Sequence, residues 1–524
     1  MSYVSKDQDY VFQSPLHVNS CMPDRAFKCP WTKDIQKTER SPHSKWDWKP
    51  NTSNVFPDVL AATGNTPMIK LNKIPKTENV ECEIYGKCEF LNPIGSVKDR
   101  MVIRCIEDAE RSGLLKPGAT IIEASSGNTG ISVAWAASVK GYKCIIVLID
   151  KISIEKENLI KAFGGKVLRV SASKDPTCEE GLFGTVHRLY KTIPNSIVFD
   201  QFSNPSNPIS HYDTTAEEIF HQCGGQVDMI VMGTGTGGTL TGISRKFREI
   251  SPNTLIIGAD PYGSKFAQPS EINETDVKFI EIEGIGFEMI ATVCDRSQVD
   301  KWYKLYDKDS LNMSRRMIRE EGLLVGTSSG VIMAGALKAI KDFKLGKGKK
   351  VVVLLPDGTR NYLTKFVRDQ WMEQRGFIPC INTNNHWWWD LNASEIKTKP
   401  LKNVSVTTSL EDVLVVMNEL NVDYLPVEED GILAGIVSRK NITNELISCN
   451  TPKEEVKQTI ERMYSKLPKD SNVGLVSRVL EAENYVVLLE SQGNFEKHFC
   501  LLLLELTLIF VYKLLEIRLE WVNY

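Results

Sequence analysis

The chain has 524 residues, 42 % of them hydrophobic and 25 % charged, with a formal net charge of -3. That length calls for two to four domains with sizeable buried cores, and the near balance of charge excludes a general nucleic-acid-binding surface. Its 12 cysteines are scattered singly, which suits reduced thiols in a cytoplasmic protein and excludes a regular disulfide framework.

Residues 1–55 are polar and punctuated by Pro15, Pro23, Pro30, Pro42 and Pro50, so they read as an extended arm, ordered only where something anchors it. Met1 to Asp9 is mixed in charge, unlike a signal or transit peptide. Residues 56–380 alternate strand-like and helix-like segments, which predicts an α/β domain of two lobes with largely parallel sheets and a ligand beyond the carboxyl ends of the strands. Within it, Gly95-Ser96-Val97-Lys98-Asp99-Arg100 opens a helix running from Lys98 to Arg111. The β-branched run Thr120 to Ala124 reads as a strand that feeds, through Ser125-Ser126-Gly127-Asn128-Thr129-Gly130, an alanine-rich helix from Ile131 to Gly141. Val227 to Met232 repeats the pattern, with Gly233-Thr234-Gly235-Thr236-Gly237-Gly238-Thr239 leading to an amphipathic helix from Leu240 to Glu249. In Gly322 to Gly330 a hydroxyl, Ser328, stands ahead of a helix expected to begin at Gly330.

Together these pieces predict a pyridoxal 5'-phosphate site. A lysine at a helix start can hold the aldehyde as a Schiff base, and glycine loops at helix N-termini offer free N–H groups and the positive end of the dipole to a phosphate or a carboxylate. Taken singly, either loop reads equally well as a plain tight turn. Gly235-Thr236-Gly237-Gly238 lacks the third-glycine spacing of a dinucleotide fingerprint, and no Gly-Lys-Ser/Thr closes either loop as a nucleotide P-loop would. A hydroxyl at the pyridine nitrogen leaves the ring a weaker electron sink than a carboxylate would, which favours loss of a β-substituent over transamination.

At these residues, and at Asp213-Thr214-Thr215-Ala216, Glu283-Gly284-Ile285-Gly286, Leu355-Pro356-Asp357-Gly358 and Arg360-Asn361-Tyr362, the chain resembles the fold-type II pyridoxal phosphate enzymes. Among them it is more similar to the cystathionine β-synthases than to the cysteine synthases. The resemblance implies Lys98 as Schiff-base lysine and Cα proton carrier, Asn128 at the ring hydroxyl, Gly235, Thr236, Gly237, Gly238 and Thr239 around the phosphate, and Ser328 at the pyridine nitrogen. Ser125, Ser126, Thr129 and Gln201 would face the substrate carboxylate. The implied reaction joins L-serine to L-homocysteine with release of water, as in transsulfuration, or releases hydrogen sulfide from cysteine. The family also implies a homodimer or higher homo-oligomer.

The N-terminal arm carries Cys29-Pro30-Trp31 and Ser41-Pro42-His43. By resemblance to the animal enzymes, Cys29 and His43 are axial ligands of a haem b, with Trp31 and Arg245 donating toward the thiolate. A guanidinium beside a coordinating sulfur keeps it deprotonated, and sulfur with imidazole suits iron. Two departures bear on the substrate: Phe202 and Phe287 stand where relatives have tyrosines, so two hydroxyls are missing. A site that loses hydrogen bonds to its substrate can change specificity strongly. The alternatives are therefore a cysteine synthase or β-cyanoalanine synthase, or a non-catalytic ligand-binding paralogue.

Residues 381–400 form an aromatic linker whose His386-Trp387-Trp388-Trp389-Asp390 is too apolar to hang free and is expected to pack on the core or on a second subunit. Residues 401–495 read as a CBS-type regulatory module. One repeat has Val404-Ser405-Val406, a helix near Leu410 to Asn421, Tyr424 to Val427 and Gly435 to Ser438. A second has a helix from Leu475 to Ala482 and a strand from Tyr485 to Leu488, with its final strand and helix missing. A divergent hydrophobic tail, 496–524, follows, with a leucine-rich run from Phe499 to Tyr512. It is too short and too charged for a membrane span. The family's aspartate for the ribose of S-adenosylmethionine has no match here, so the resemblance does not carry that activation to this chain.

Overall fold

In the computed structural model, residues 55–395 are described apart from 126, 150, 151, 172–174, 278 and 384, together with 402–448, 455–461, 464–481, 483–489 and 499–503. The chain divides into two compact units, one ending at Arg368 and one beginning at Asp369.

The first unit holds two sheets. The larger has six strands, β1 (Met68–Lys70), β2 (Glu83–Cys88), β7 (Met229–Gly233), β8 (Leu255–Pro261), β9 (Lys301–Leu305) and β10 (Lys350–Leu355), in the order β1-β2-β10-β7-β8-β9. All neighbours are parallel except β1 and β2. The smaller sheet, β5 (Lys166–Val170), β4 (Lys143–Ile149), β3 (Thr120–Ser125) and β6 (Ser196–Val198), is parallel throughout. The continuous apolar runs explain this. Ile121 and Ile122 in β3, Ile230 and Val231 in β7, and Val351 to Leu355 in β10 are buried on both faces, as parallel strands covered by helices require.

The helices predicted around the site are present, and three begin earlier than their hydrophobic patterns suggest. Lys98–Arg111 has the predicted bounds, whereas the others are Asn128–Lys140, Gly238–Ile250 and Thr327–Asp342. Glycine N-caps at Gly127, Gly237 and Gly326 let each helix start inside its loop. Asn128 and Ser328 are thus first-turn residues, and Ser328 does not cap a helix beginning at Gly330.

A buried charge cluster anchors the Lys98 helix. Arg100 donates through Nε and Nη2 to Glu89, at 2.7 and 2.8 Å, and through Nη1 and Nη2 to Glu218, at 2.6 and 2.7 Å. Lys87 Nζ reaches Glu218 at 2.6 Å, which balances two cations against two carboxylates. Asp99 completes the anchorage, accepting from Ile94 N at 2.9 Å and from the Ser132 hydroxyl of the Asn128 helix at 2.6 Å.

In the second unit, two three-stranded sheets share one topology, the first strand parallel to the second and the second antiparallel to the third. They comprise Val404–Ser405, Tyr424–Glu429 and Ile432–Ser438, and then Lys466–Pro468, Tyr485–Leu489 and Phe499–Leu503. The second repeat therefore has its final strand, contrary to the sequence expectation. It is the start of the leucine-rich run, paired Tyr485↔Leu503 to Leu489↔Phe499. Of the three adjacent tryptophans, Trp388 and Trp389 pack into the core of this repeat, Trp389 against Gly474, while Trp387 is exposed. Among the described residues, no helix is long and apolar enough to cross a membrane.

Candidate active site

A cavity that opens to solvent is lined by Val97, Lys98, Asn128, Gly235, Gly237, Thr239 and Ser328, among others. Lys98, Asn128, Thr239 and Ser328 all sit in the first turn of a helix, so four helix N-termini converge on one space. Unpaired N–H groups and aligned dipoles make that space favourable for an anion. Burial pulls the Lys98 ammonium down to about 8, opposed by the Asp357 carboxylate, so about a tenth is the neutral, nucleophilic amine at pH 7, far more than for an exposed lysine.

The glycine loop after β7 is shaped for close approach. A side chain at Gly235 would put its Cβ 2.5 Å from the Gly284 carbonyl, and Gly237, at φ +87°, would drive one into Cys294. Beside it, Asn207 Nδ2 donates to the Thr236 hydroxyl at 2.9 Å, and the Thr239 hydroxyl lies 3.1 Å from His211 Nε2. Burial, with Arg100 adding to it, lowers His211 to about 3 and keeps the imidazole neutral. The hydroxyl of Thr234 is buried without a partner among the described residues, as is Asn207 Oδ1. A cradle closed to side chains, with helix N–H groups and orphaned polar atoms around it, fits the phosphate of pyridoxal phosphate.

In the first loop, Ser125 Oγ lies beneath the chain and accepts from Gly127 N at 2.9 Å and Gly130 N at 2.8 Å. The Thr129 hydroxyl donates to Gln201 Oε1 at 2.6 Å, and Gln201 Nε2 donates to Ala124 O at 2.8 Å, so two of the predicted carboxylate-facing residues, Thr129 and Gln201, are in contact. Ser126 lies outside the described residues. Under Gln201, the Glu123 carboxylate accepts from the backbone N–H groups of Asp200 and Gln201, at 3.0 and 3.3 Å. Burial, with the Asp200 charge adding to it, pushes Glu123 up to about 8. Asp200 takes the left-handed φ of +52°, a strained conformation next to a site residue. Phe202 meets Phe183 and Phe287 edge to face, with centroids 5.4 and 6.4 Å apart.

Asn128 has both ends of its amide engaged: Nδ2 donates to Asp357 Oδ2 at 2.8 Å, and Oδ1 accepts from Asn361 Nδ2 at 2.9 Å. Neither Asp357 nor Asn361 is assigned a role by the sequence reading. The available signal is position, since Asp357 follows the carboxyl end of a buried parallel strand, where α/β folds place ligand residues. Cys29, Trp31 and His43 lie outside the described residues. Arg245 pairs with Asp295 through Nε and Nη2, at 2.9 and 2.7 Å.

This fold and cavity define a pyridoxal-phosphate-dependent enzyme, and the family model for "Pyridoxal-phosphate dependent enzyme" matches residues 59–357. The model for the CBS domain matches residues 393–448. The cystathionine beta-synthase of Apis mellifera is 45 % identical over 482 residues, covering 90 % of this chain and 94 % of that protein. That of Rattus norvegicus is 43 % identical and covers 90 % of this chain and 84 % of its own length. Among solved structures, an O-ureido-L-serine synthase with O-ureido-L-serine bound has a TM-score of 0.55 at 33 % identity, over 60 % of this chain and 94 % of that one. A hydrogen sulfide-producing enzyme from Fusobacterium nucleatum has a TM-score of 0.55 at 36 % identity, over 59 % of this chain and 100 % of that one. The chain belongs to the cystathionine β-synthase family.

Proposed function

We propose that this enzyme condenses L-serine with L-homocysteine to give L-cystathionine and water, and releases hydrogen sulfide when cysteine replaces serine. The observation that carries this reading is the convergence of Lys98, Asn128, the glycine loop and Ser328 on one cavity. Pyridoxal phosphate held by Lys98 supplies an electron sink that lets the Cα proton and then the Cβ substituent of an amino acid leave. Gly235 to Thr239 hold the phosphate, Asn128 meets the ring hydroxyl, and Ser328 meets the pyridine nitrogen without fully protonating it. Ser125, Ser126, Thr129 and Gln201 hold the substrate carboxylate, which fixes the Cα–H bond toward Lys98. The released Lys98 amine takes the Cα proton and passes it to the departing hydroxyl so that water leaves; the homocysteine sulfur then bonds to Cβ as its thiol proton passes to Lys98, which delivers that proton to Cα.

Phe202 and Phe287 stand beside Gln201 and Gly286 where relatives carry tyrosine hydroxyls, and they pack against each other edge to face. Haem b belongs to the proposal through Cys29 and His43, with Trp31 and Arg245 toward the sulfur, as does a homo-oligomer. Borohydride reduction followed by peptide mapping tests the central claim, with the pyridoxyl label expected on Lys98 and turnover of serine plus homocysteine exceeding that of O-acetylserine plus sulfide. Label elsewhere, or the reverse preference, defeats it. For the haem, loss of the Soret band in both Cys29→Ser and His43→Ala is expected, and retention in both refutes the assignment.

A further inference from the structure

The segment Pro356 to Tyr362, which carries none of the roles above, touches three parts of the site. Val97 N donates to Pro356 O at 2.8 Å, and Ser96 pairs with Asp357 in an isolated antiparallel bridge, so the backbone entering Lys98 is tied to this segment. Gly326 N donates to Asp357 O at 2.8 Å, and Val325 bridges Gly358, which ties in the start of the Ser328 helix. The third tie is the Asp357 side chain itself. Its Oδ2 accepts from Asn128 Nδ2 at 2.8 Å and from the Tyr362 hydroxyl.

With Asn361 donating to Asn128 Oδ1 at 2.9 Å, the Asn128 amide has one tenable orientation. Rotated by half a turn, its oxygen would face the Asp357 carboxylate and its amide nitrogen would face the Asn361 donor, replacing two attractions by two repulsions. The orientation that remains leaves the second Nδ2 hydrogen for the cavity that Asn128 lines. Asp357 is fully enclosed, and a side chain at Gly326 would fall on its Oδ1, an oxygen without a partner among the described residues. The charged groups facing Asp357 are Lys98, Lys156 and Glu283. Lys156 is itself bonded to Glu283 at 2.5 Å and to the Tyr362 hydroxyl at 3.3 Å.

We infer that Asp357 is the positioning residue of this site: with Asn361 as its partner it locks the Asn128 amide, it joins the Lys98 and Ser328 segments through its backbone, and it faces Lys98 with an opposite charge. The inference rests on the reading of Lys98 and Asn128 as cofactor residues, and it adds the group that sets their geometry and charge. Asp357→Asn keeps an acceptor oxygen but removes the charge, and Asn361→Ser removes the second amide contact while leaving the charge in place.

The full-length chain, wild type and both variants, is stripped of cofactor. The pH midpoint for acylation of Lys98 is then read by peptide mass, and the dissociation constant of pyridoxal phosphate is measured alongside a melting curve. In Asp357→Asn the Lys98 midpoint falls by about 1 unit, the effect of deleting a nearby opposite charge, and cofactor binding weakens. In Asn361→Ser the midpoint stays in place while binding weakens roughly tenfold, the scale of one hydrogen bond in a dry site. An unmoved or raised midpoint in Asp357→Asn overturns the inference, as does unchanged cofactor affinity in Asn361→Ser, which stands as the test should the first variant not fold. If wild-type Lys98 takes no pyridoxyl label, the proposed function fails instead; a labelled Lys98 with an unmoved midpoint sinks only the role of Asp357.

Discussion

Replacing Arg100 by Met puts the buried charge cluster to a quantitative test. The side chains of Lys87, Glu89, Arg100 and Glu218 are between 0 and 3 % exposed, and the charges cancel two against two. Without the guanidinium, Lys87 faces two carboxylates, and four charge-assisted hydrogen bonds are lost. Leaving one buried charge uncompensated costs about 3–5 kcal/mol, against well under half of that for the change in apolar packing. The assay is the urea midpoint of the first unit, followed by its own tryptophan and tyrosine signals.

The pH dependence carries a sign. In the wild type, the adjacent Arg100 outweighs burial and holds Glu89 well below the usual carboxylate range, so that contribution is lost as pH falls from the unfolded value of about 4.3 through this low one. In Arg100→Met, a stranded carboxylate has a folded pKa above its unfolded value of about 4.3. The deficit therefore opens as pH rises through that window and shrinks again in acid. Adding Glu89→Gln to Arg100→Met should restore part of the stability. An Arg100→Met chain as stable as wild type at pH 7, or a double variant less stable than the single one, refutes the reasoning.

Three other outcomes follow from the same geometry. Glu123, raised to about 8, binds a proton in the folded chain that the unfolded chain lacks, so wild-type stability declines as pH rises from the ordinary carboxylate value to about 8; Glu123→Gln should flatten that slope in pH-dependent melting, and an unchanged slope excludes Glu123 as its source. Gly237→Ala, at φ +87° and against Cys294, should weaken pyridoxal phosphate binding by at least tenfold, with a backbone cost of about 1–2 kcal/mol; wild-type affinity would mean the loop is not the phosphate cradle. Trp389→Ala removes a ring that is 4 % exposed and lies 5.2 Å from the Arg478 guanidinium, and should cost the second unit about 3–5 kcal/mol. Hydrogen exchange that speeds up in Tyr485–Leu489 alone would agree, whereas no change would place the ring outside that core.

The cofactor class was legible in the chain because its signals are local. A lysine opening a helix, two glycine loops between strand and helix, and a hydroxyl just ahead of a helix each lie within a few residues, where spacing alone dictates the backbone. Helix starts were read late at Asn128 and Ser328, since hydrophobic periodicity begins only after the polar first turn that faces the ligand.

What sequence could not supply was pairing between distant segments. Arg100 finds Glu218 across 118 positions, and Asn128 finds Asp357 across 229. Nothing in the residues around either partner states the match, because a buried charge or amide is satisfied by whichever group the packing of sheets brings near. The final strand of the second repeat was missed for the same reason: an apolar run has no strand identity until the edge of Tyr485–Leu489 offers it backbone hydrogen bonds. The sequence by itself determined which chemistry the chain can carry, through groups fixed by their own local backbone. Only the tertiary structure decided how those groups are oriented and charged, because burial and long-range hydrogen bonds exist only once the sheets have closed around them.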